Sequence, residues 1–102
     1  MKEIRIIIAE SSDIMLNGIS AMLNGNPEIK VTGKVSSYSA LSKLLQDNPI
    51  DVVLLGPILT GKYPHELSKE LKIDFPSAHI VEIELKDEPD SIIDKIKKAV
   101  AA

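Results

Sequence analysis

The sequence contains no cysteine and very few aromatic residues. Without cysteine the chain can have no disulfide, no thiolate zinc site and no thiol nucleophile. The absence of cysteine does not indicate whether the protein works in an oxidising or a reducing compartment. Its aromatic residues are Tyr38, Tyr63 and Phe75. They offer little surface for stacking on nucleobases. Composition therefore excludes several classes of site before any pattern is considered.

Long apolar runs and an excess of basic residues are also missing. No run approaches the ~20 apolar residues of a membrane-spanning helix, and the apolar run near the start is too short for a signal peptide. We therefore expect a cytoplasmic protein with no membrane partner. The formal net charge of −3 disfavours binding to a polyanion. On this ground we predict no nucleic-acid partner.

Apolar runs alternate with amphipathic segments along the whole chain of 102 residues. A chain of this length forms one domain, which we expect to span residues 1–102. Short runs rich in Val, Ile and Leu predict strands at 4–9, 29–35, 51–55 and 79–85. Apolar residues at helical spacing predict helices at 12–24, 39–46, 64–73 and 89–100.

The helical segments carry apolar faces and end signals. Ile14 and Leu23 are expected on the buried face of the first helix, and Ile73 on that of the third. Ser11 or Ser12 is the expected cap of the first helix. Strands that are nearly continuous in apolar residues are buried on both faces, and helices between them make parallel crossovers. The sequence thus predicts an α/β fold with a doubly wound parallel sheet.

Most of the chain resembles a CheY-like receiver domain of bacterial response regulators, particularly the LuxR/NarL type. A similar domain stands at the N-terminus of pilus-assembly ATPases of the MinD type. The resemblance begins with IRIIIAESSDIMLNGISAMLNGNPEIKVTGKVSSYSALSKLLQDNPIDVVLLG and continues with FPSAHIVEIE and LKDEPDSIIDKIKKAV. It implies a flavodoxin-like sheet and a phosphorylation site at the carboxyl ends of the strands.

That site is degenerate in this chain. In the family, an aspartate at the end of the third strand accepts a phosphoryl group, and acidic residues after the first strand hold a divalent cation. The resemblance places Gly56 at the acceptor position, Glu10 and Ser11 at the acidic pair, Glu84 at the hydroxyl position and Lys86 at the lysine. Gly56 offers no nucleophile. We therefore expect no catalytic residue, no phosphoacceptor, no bound metal and no cofactor.

Two other aspartates are poor replacements for the acceptor. Asp51 lies five residues before Gly56, roughly 16 Å away along an extended strand. Asp13 stands in the first turn of a helix, where a carboxylate favours the helix dipole. Phosphorylation by the family's route is therefore not expected.

One βα unit of the family is missing, so four strands in the order 2-1-3-4 are expected. This leaves the strand at 79–85 at an edge, where unpaired backbone groups can bind another chain. Glu82 and Glu84 are expected on one face of it, as a solvated surface or as an acidic patch for a partner. A homodimer through this edge or through the last helix is a further prediction.

GPILTGKY matches the glycine and lysine spacing of a phosphate-binding loop. Tyr63 stands where such loops carry the magnesium-binding Ser or Thr, so a structural turn is the preferred interpretation.

The predicted function is a non-phosphorylatable pseudo-receiver, a protein-interaction or regulatory module in signalling or localisation. It is not an enzyme, and it would act on a protein partner or an attached output domain. The abrupt end after the last helix is compatible with an N-terminal fragment of a longer protein. The alternative function is a small-ligand or nucleotide sensor that uses the crevice around Glu10, Gly56 and Lys86.

Overall fold

The structure, a computed structural model, describes residues 3–57 and 64–101. Its four strands are β1 (Ile4–Ala9), β2 (Ile29–Val35), β3 (Val52–Leu55) and β4 (His79–Glu82). Its four helices are α1 (Asp13–Asn24), α2 (Tyr38–Asp47), α3 (Pro64–Asp74) and α4 (Pro89–Ala101). The strands form one parallel sheet in the order β2-β1-β3-β4. The predicted α/β fold and strand order are confirmed.

The sheet separates two apolar layers because successive side chains of a strand point to opposite faces. On one face, Ile6, Ile8 and Leu54 pack with the buried residues of α1 and α4. On the other, Ile7 and Leu55 pack with those of α2 and α3. β1 and β3 are therefore buried on both sides, which explains their continuous apolar composition.

Serine caps fix where two helices begin. The Ser12 side chain accepts a hydrogen bond from the backbone N–H of Met15 at 3.4 Å, and the Ser37 side chain accepts one from Ala40 at 3.3 Å. Such caps satisfy backbone N–H groups that have no partner within the helix. Of the two expected caps of α1, Ser12 is the one the structure uses.

Strand β4 is shorter than predicted because the chain turns after Ile83. The backbone N–H of Ile83 still donates to the Leu55 carbonyl at 2.8 Å. A turn follows, in which the N–H of Asp87 donates to the Glu84 carbonyl at 3.0 Å. Glu84 therefore lies outside the strand, and the expectation that Glu82 and Glu84 share a strand face was wrong.

Two isoleucines expected in the core lie on the surface. Ile14 is 86% exposed and Ile73 is 79% exposed. The apolar residues of α1 cover a wider arc than the stripe that faces the sheet, and the buried arc is formed by Leu16, Ile19 and Leu23. Helical spacing alone did not show which part of the arc meets the sheet.

Within the part of the chain that the structure describes, no helix has both the length and the apolar composition needed to cross a membrane.

Candidate functional site

The ends of β1 and β3 bring Glu10 and Gly56 together. The two strands are paired in parallel, with Ala9 beside Leu55, so the residues that follow them lie at the same edge of the sheet. The backbone N–H of Gly56 donates to the Ala9 carbonyl at 2.8 Å, which continues the ladder past the strand end. In an open parallel sheet this edge is where ligands bind.

Glu10 is a fully buried carboxylate with fixed backbone and side-chain partners. Its backbone N–H donates to the Val35 carbonyl at 3.0 Å, which ties it to β2. Its Oε2 accepts a hydrogen bond from the backbone N–H of Ser12 at 2.6 Å. A buried ionisable group needs such partners because loss of water otherwise disfavours its charged form. The start of α1 thus holds the carboxylate inside the protein.

The Glu10 side chain occupies the space directly above Gly56. A Cβ atom on residue 56 would lie 2.7 Å from the carboxyl carbon of Glu10 and 2.8 Å from its Cβ. Both separations are well below normal contact distance. Glycine is therefore required at position 56 for as long as Glu10 holds this conformation.

The five positions that the resemblance assigns to the site fall into two groups. Glu10, Ser11 and Gly56 meet at the ends of β1 and β3, and Ser11 is partly buried there. Glu84 and Lys86 lie beyond the end of β4 and form an exposed ion pair with each other at 3.4 Å.

The lysine of this set points into solvent. The Lys86 side chain is 82% exposed. Within the described parts of the chain, no hydrogen bond or ion pair joins it to Glu10. In this conformation the lysine does not complete a site with Glu10 and Gly56.

Asp51 lies at the opposite end of β3 and has a structural partner. Its Oδ2 accepts hydrogen bonds from the backbone N–H of Arg5 at 2.8 Å and from Arg5 Nε at 3.2 Å. These contacts join the beginnings of β1 and β3. Asp51 is therefore engaged far from the strand ends where Glu10 and Gly56 meet.

Sequence patterns did not identify the contact between Asp87 and Lys95. Lys95 Nζ donates to Asp87 Oδ2 at 2.6 Å and to the Glu82 carbonyl at 3.3 Å. The same Asp87 oxygen accepts from the backbone N–H of Glu84 at 2.9 Å. The Glu84 N–H and then the Lys95 ammonium lower the pKa of Asp87 below its ordinary value. Asp87 and Lys95 are eight positions apart along the chain, a spacing that predicts no contact.

Residues 3–57 and 64–101 contain no cluster of three or more His, Asp or Glu side chains arranged to hold a metal ion. The loop that matched a phosphate-binding pattern lies at 56–63, and its residues 58–63 are outside the described part of the chain.

The chain is similar to known proteins in its three-dimensional structure. No protein-family model and no curated protein sequence matches the chain. It is similar to the isolated REC domain of RcsB from Salmonella enterica serovar Typhimurium in the presence of the phosphomimetic BeF3−. That match has 23% identity, a TM-score of 0.77 and coverage of 99% of this chain and 88% of that one. The non-phosphorylated receiver domain of the Escherichia coli stress response regulator RcsB matches with 23% identity, a TM-score of 0.74 and coverage of 92% and 76%.

Longer RcsB chains match as well. RcsB from Salmonella enterica serovar Typhimurium bound to a promoter matches with 19% identity and a TM-score of 0.83, over 96% of this chain and 60% of that one. This chain spans only 48% to 66% of the length of these longer RcsB chains. The chain therefore corresponds to one part of these proteins.

The prediction of no nucleic-acid partner is contradicted by these structures, several of which contain DNA. The prediction rested on the net charge of one domain. In a longer protein, DNA binding depends on the local charge of the surface that faces the phosphates. The net charge of one domain does not reveal that local charge.

Proposed function

Because the chain has the fold of a response-regulator receiver domain, we propose that it is a regulatory signalling module of the pseudo-receiver kind. It would bind a protein without being phosphorylated at the strand ends. One observation carries this proposal, namely that the Glu10 side chain fills the space where residue 56 would project a side chain.

Two requirements of phosphoryl transfer are unmet at the ends of β1 and β3. A carboxylate nucleophile is missing at residue 56, and the room for a substituent there is occupied. The acidic pair is also reduced, because Ser11 replaces a second carboxylate. A magnesium ion prefers several hard oxygen ligands with charge on them, and one buried glutamate already bonded to Ser12 supplies little of that.

The proposed module is not an enzyme and depends on binding surfaces for its effect. In the similar RcsB proteins a domain of this kind forms part of a longer chain. We propose that residues 1–102 likewise form one domain of a longer regulator and transmit a signal through contacts with another domain or protein. The strand-end groups Glu10, Ser11, Gly56, Glu84 and Lys86 would then be remnants of a switch.

A magnesium titration with and without beryllofluoride tests the proposal. Amide chemical shifts near Glu10, Gly56 and Lys86 are followed by NMR, with a phosphorylatable receiver domain as the positive control. We expect no saturable change in this chain and clear shifts in the control.

Saturable shifts at these residues would contradict the proposal. They would favour the alternative function, a sensor that binds an anion or nucleotide at the strand ends. Incorporation of label from a small-molecule phosphodonor would contradict both, and the labelled residue would then be identified by mass spectrometry.

A further inference from the structure

The exposed edge of the sheet at β4 carries backbone groups that point away from β3. In a parallel ladder, alternate residues direct both backbone groups to the same neighbour. The N–H groups of His79 and Ile83 donate to the carbonyls of Asp51 and Leu55 at 2.9 and 2.8 Å. Residues 80 and 82 therefore face outward, toward the position of a missing neighbouring strand, and the backbone N–H of Glu84 follows beyond the strand end.

Two side chains bind part of this outward-facing backbone. Lys95 donates to the Glu82 carbonyl at 3.3 Å, and Asp87 accepts from the Glu84 N–H at 2.9 Å. The two side chains are joined to each other at 2.6 Å. We call this Lys95–Asp87 pair the edge latch. It bonds to two groups that an added strand would pair with, the Glu82 carbonyl and the Glu84 N–H, and not to the backbone of Ile80.

The opposite edge of the sheet is protected in a different way. Strand β2 contains a bulge, because Val31 pairs with Ile6 and Gly33 with Ile7, which leaves Thr32 as an extra residue. Two exposed lysines, Lys30 and Lys34, flank the bulge. Bulges and lysines are permanent obstacles to strand addition. The edge latch, in contrast, consists of two side chains that lie outside β4.

A groove of about 990 Å³ runs beside β4 and α4. Its apolar walls include Ile80, Ala99 and Leu85, the last of which is 74% exposed. A bound segment would therefore find apolar surface beside the outward-facing backbone groups of β4. This combination of main-chain hydrogen bonding and side-chain pockets is how extended peptides bind to sheet edges.

The charges of the groove favour a basic occupant. Its two lysines are already paired, Lys95 with Asp87 and Lys98 with Asp94. The Glu82 carboxylate makes no ion pair with any residue of the described chain. A lysine or arginine on the incoming segment would complement it.

We propose that the β4 edge is a strand-addition site for an extended, lysine- or arginine-bearing segment of a protein partner, and that the edge latch closes it in the free domain. The inference rests on the proposed protein-binding function and specifies the surface that performs it. Binding displaces Lys95 from the Glu82 carbonyl and Asp87 from the Glu84 N–H, and the new strand takes over both bonds.

A peptide titration tests this site. The probe is a short synthetic peptide of alternating valine and lysine, and the matched peptide carries glutamate in place of lysine. The amide signals of Ile80, Glu82 and Glu84 are followed by NMR in the whole chain. We expect saturable shifts at these three residues with the lysine peptide and much weaker binding of the glutamate peptide.

Latch variants test the closing mechanism. Lys95→Ala and Asp87→Ala should each bind the lysine peptide roughly tenfold more tightly, since one charge-assisted hydrogen bond of the latch no longer competes. Lys98→Ala is the control, because it breaks an ion pair on the same helix and leaves the latch intact. Two different latch variants keep the test valid if one of them folds poorly.

Three outcomes would overturn the inference. The first is the absence of saturable shifts in both latch variants, and the second is equal binding of the two peptides. The third is self-association of Lys95→Ala without peptide, which would assign the edge to a second copy of the chain. None of these outcomes alters the response of Glu10 and Gly56 to beryllofluoride, so failure here is distinguishable from failure of the proposed function.

Discussion

The Glu10 carboxylate stands over the α-carbon of Gly56, in space that any larger residue at position 56 would need. Each of the two residues constrains the other. Glu10 can be buried here because residue 56 has no side chain, and residue 56 must stay glycine because Glu10 is buried. The space at the ends of β1 and β3 is thus closed by packing.

Gly56→Ala should destabilise the protein by about 1 to 3 kcal/mol, the usual cost of an additional methyl group in a packed interior. The measurement is the free energy of unfolding from chemical denaturation. In the background of Glu10→Ala the same change should cost much less, because the overlapping carboxylate is gone.

Gly18→Ala is the matched control for this cycle. Apart from the adjacent residues and backbone of its own helix, nothing lies within 4 Å of the Cβ that this change adds. Because position 18 lies in α1, the change should stabilise the protein by roughly 0.5 to 1 kcal/mol. A Gly56→Ala variant as stable as the original chain would contradict the packing described for Glu10.

Asp51→Ala should destabilise the protein more than Arg5→Ala does. Asp51 accepts from the backbone N–H of Arg5 as well as from its side chain, and removing the acceptor leaves that N–H without this bond, at a cost of about 1 to 3 kcal/mol. The Arg5 and Asp51 side chains are 35% and 23% exposed, so loss of their ion pair alone should cost only about 0 to 1 kcal/mol. The free energies of unfolding of the two variants, measured by chemical denaturation, provide the comparison. A larger loss for Arg5→Ala would contradict the prediction.

The edge latch should weaken in acid. The Glu84 N–H and the Lys95 ammonium lower the pKa of Asp87, so the folded protein binds a proton there less readily than the unfolded chain does. The resulting stabilisation is complete above the ordinary pKa of 3.8 and is lost as the pH falls through the lower, folded-state pKa.

A carboxyl titration by NMR checks this prediction in the original chain and in Lys95→Ala. Loss of the ammonium should raise the pKa of Asp87, while the Glu84 N–H should keep it below the ordinary value. Lys98→Ala should leave it unchanged. An Asp87 that titrates identically with and without Lys95 would show that the latch does not form in solution.

Ile14→Ser and Ile73→Ser should change stability by less than about 0.5 kcal/mol, as most surface substitutions do. Both side chains are largely exposed. Leu23→Ala, on the same helix as Ile14 but fully buried, should cost about 2 to 5 kcal/mol. Thermal or chemical unfolding of the three variants provides the comparison. A large loss for Ile14→Ser would mean that its side chain is covered in solution.

Much of the fold could be predicted from the sequence because the pattern of apolar residues matches the burial of most strands and helices. The bounds of β1 and β2 match the prediction: β1 ends with its apolar run, and β2 begins and ends on a buried apolar residue. The alternation of strands and helices predicted the parallel sheet, and the resemblance to receiver domains supplied the strand order. The end of β4 was missed because its last residues belong to a turn held by Asp87.

The candidate site was only partly predictable. The sequence by itself determined that position 56 offers no nucleophile, because glycine has none in any fold. Only the tertiary structure decided that Glu10 fills the space above Gly56, and that Lys95 and Asp87 bind the backbone of β4. The reason is physical: hydrophobic periodicity reflects which side of an element is buried, whereas contacts between side chains from separate elements depend on distances that arise once the sheet and its helices have packed.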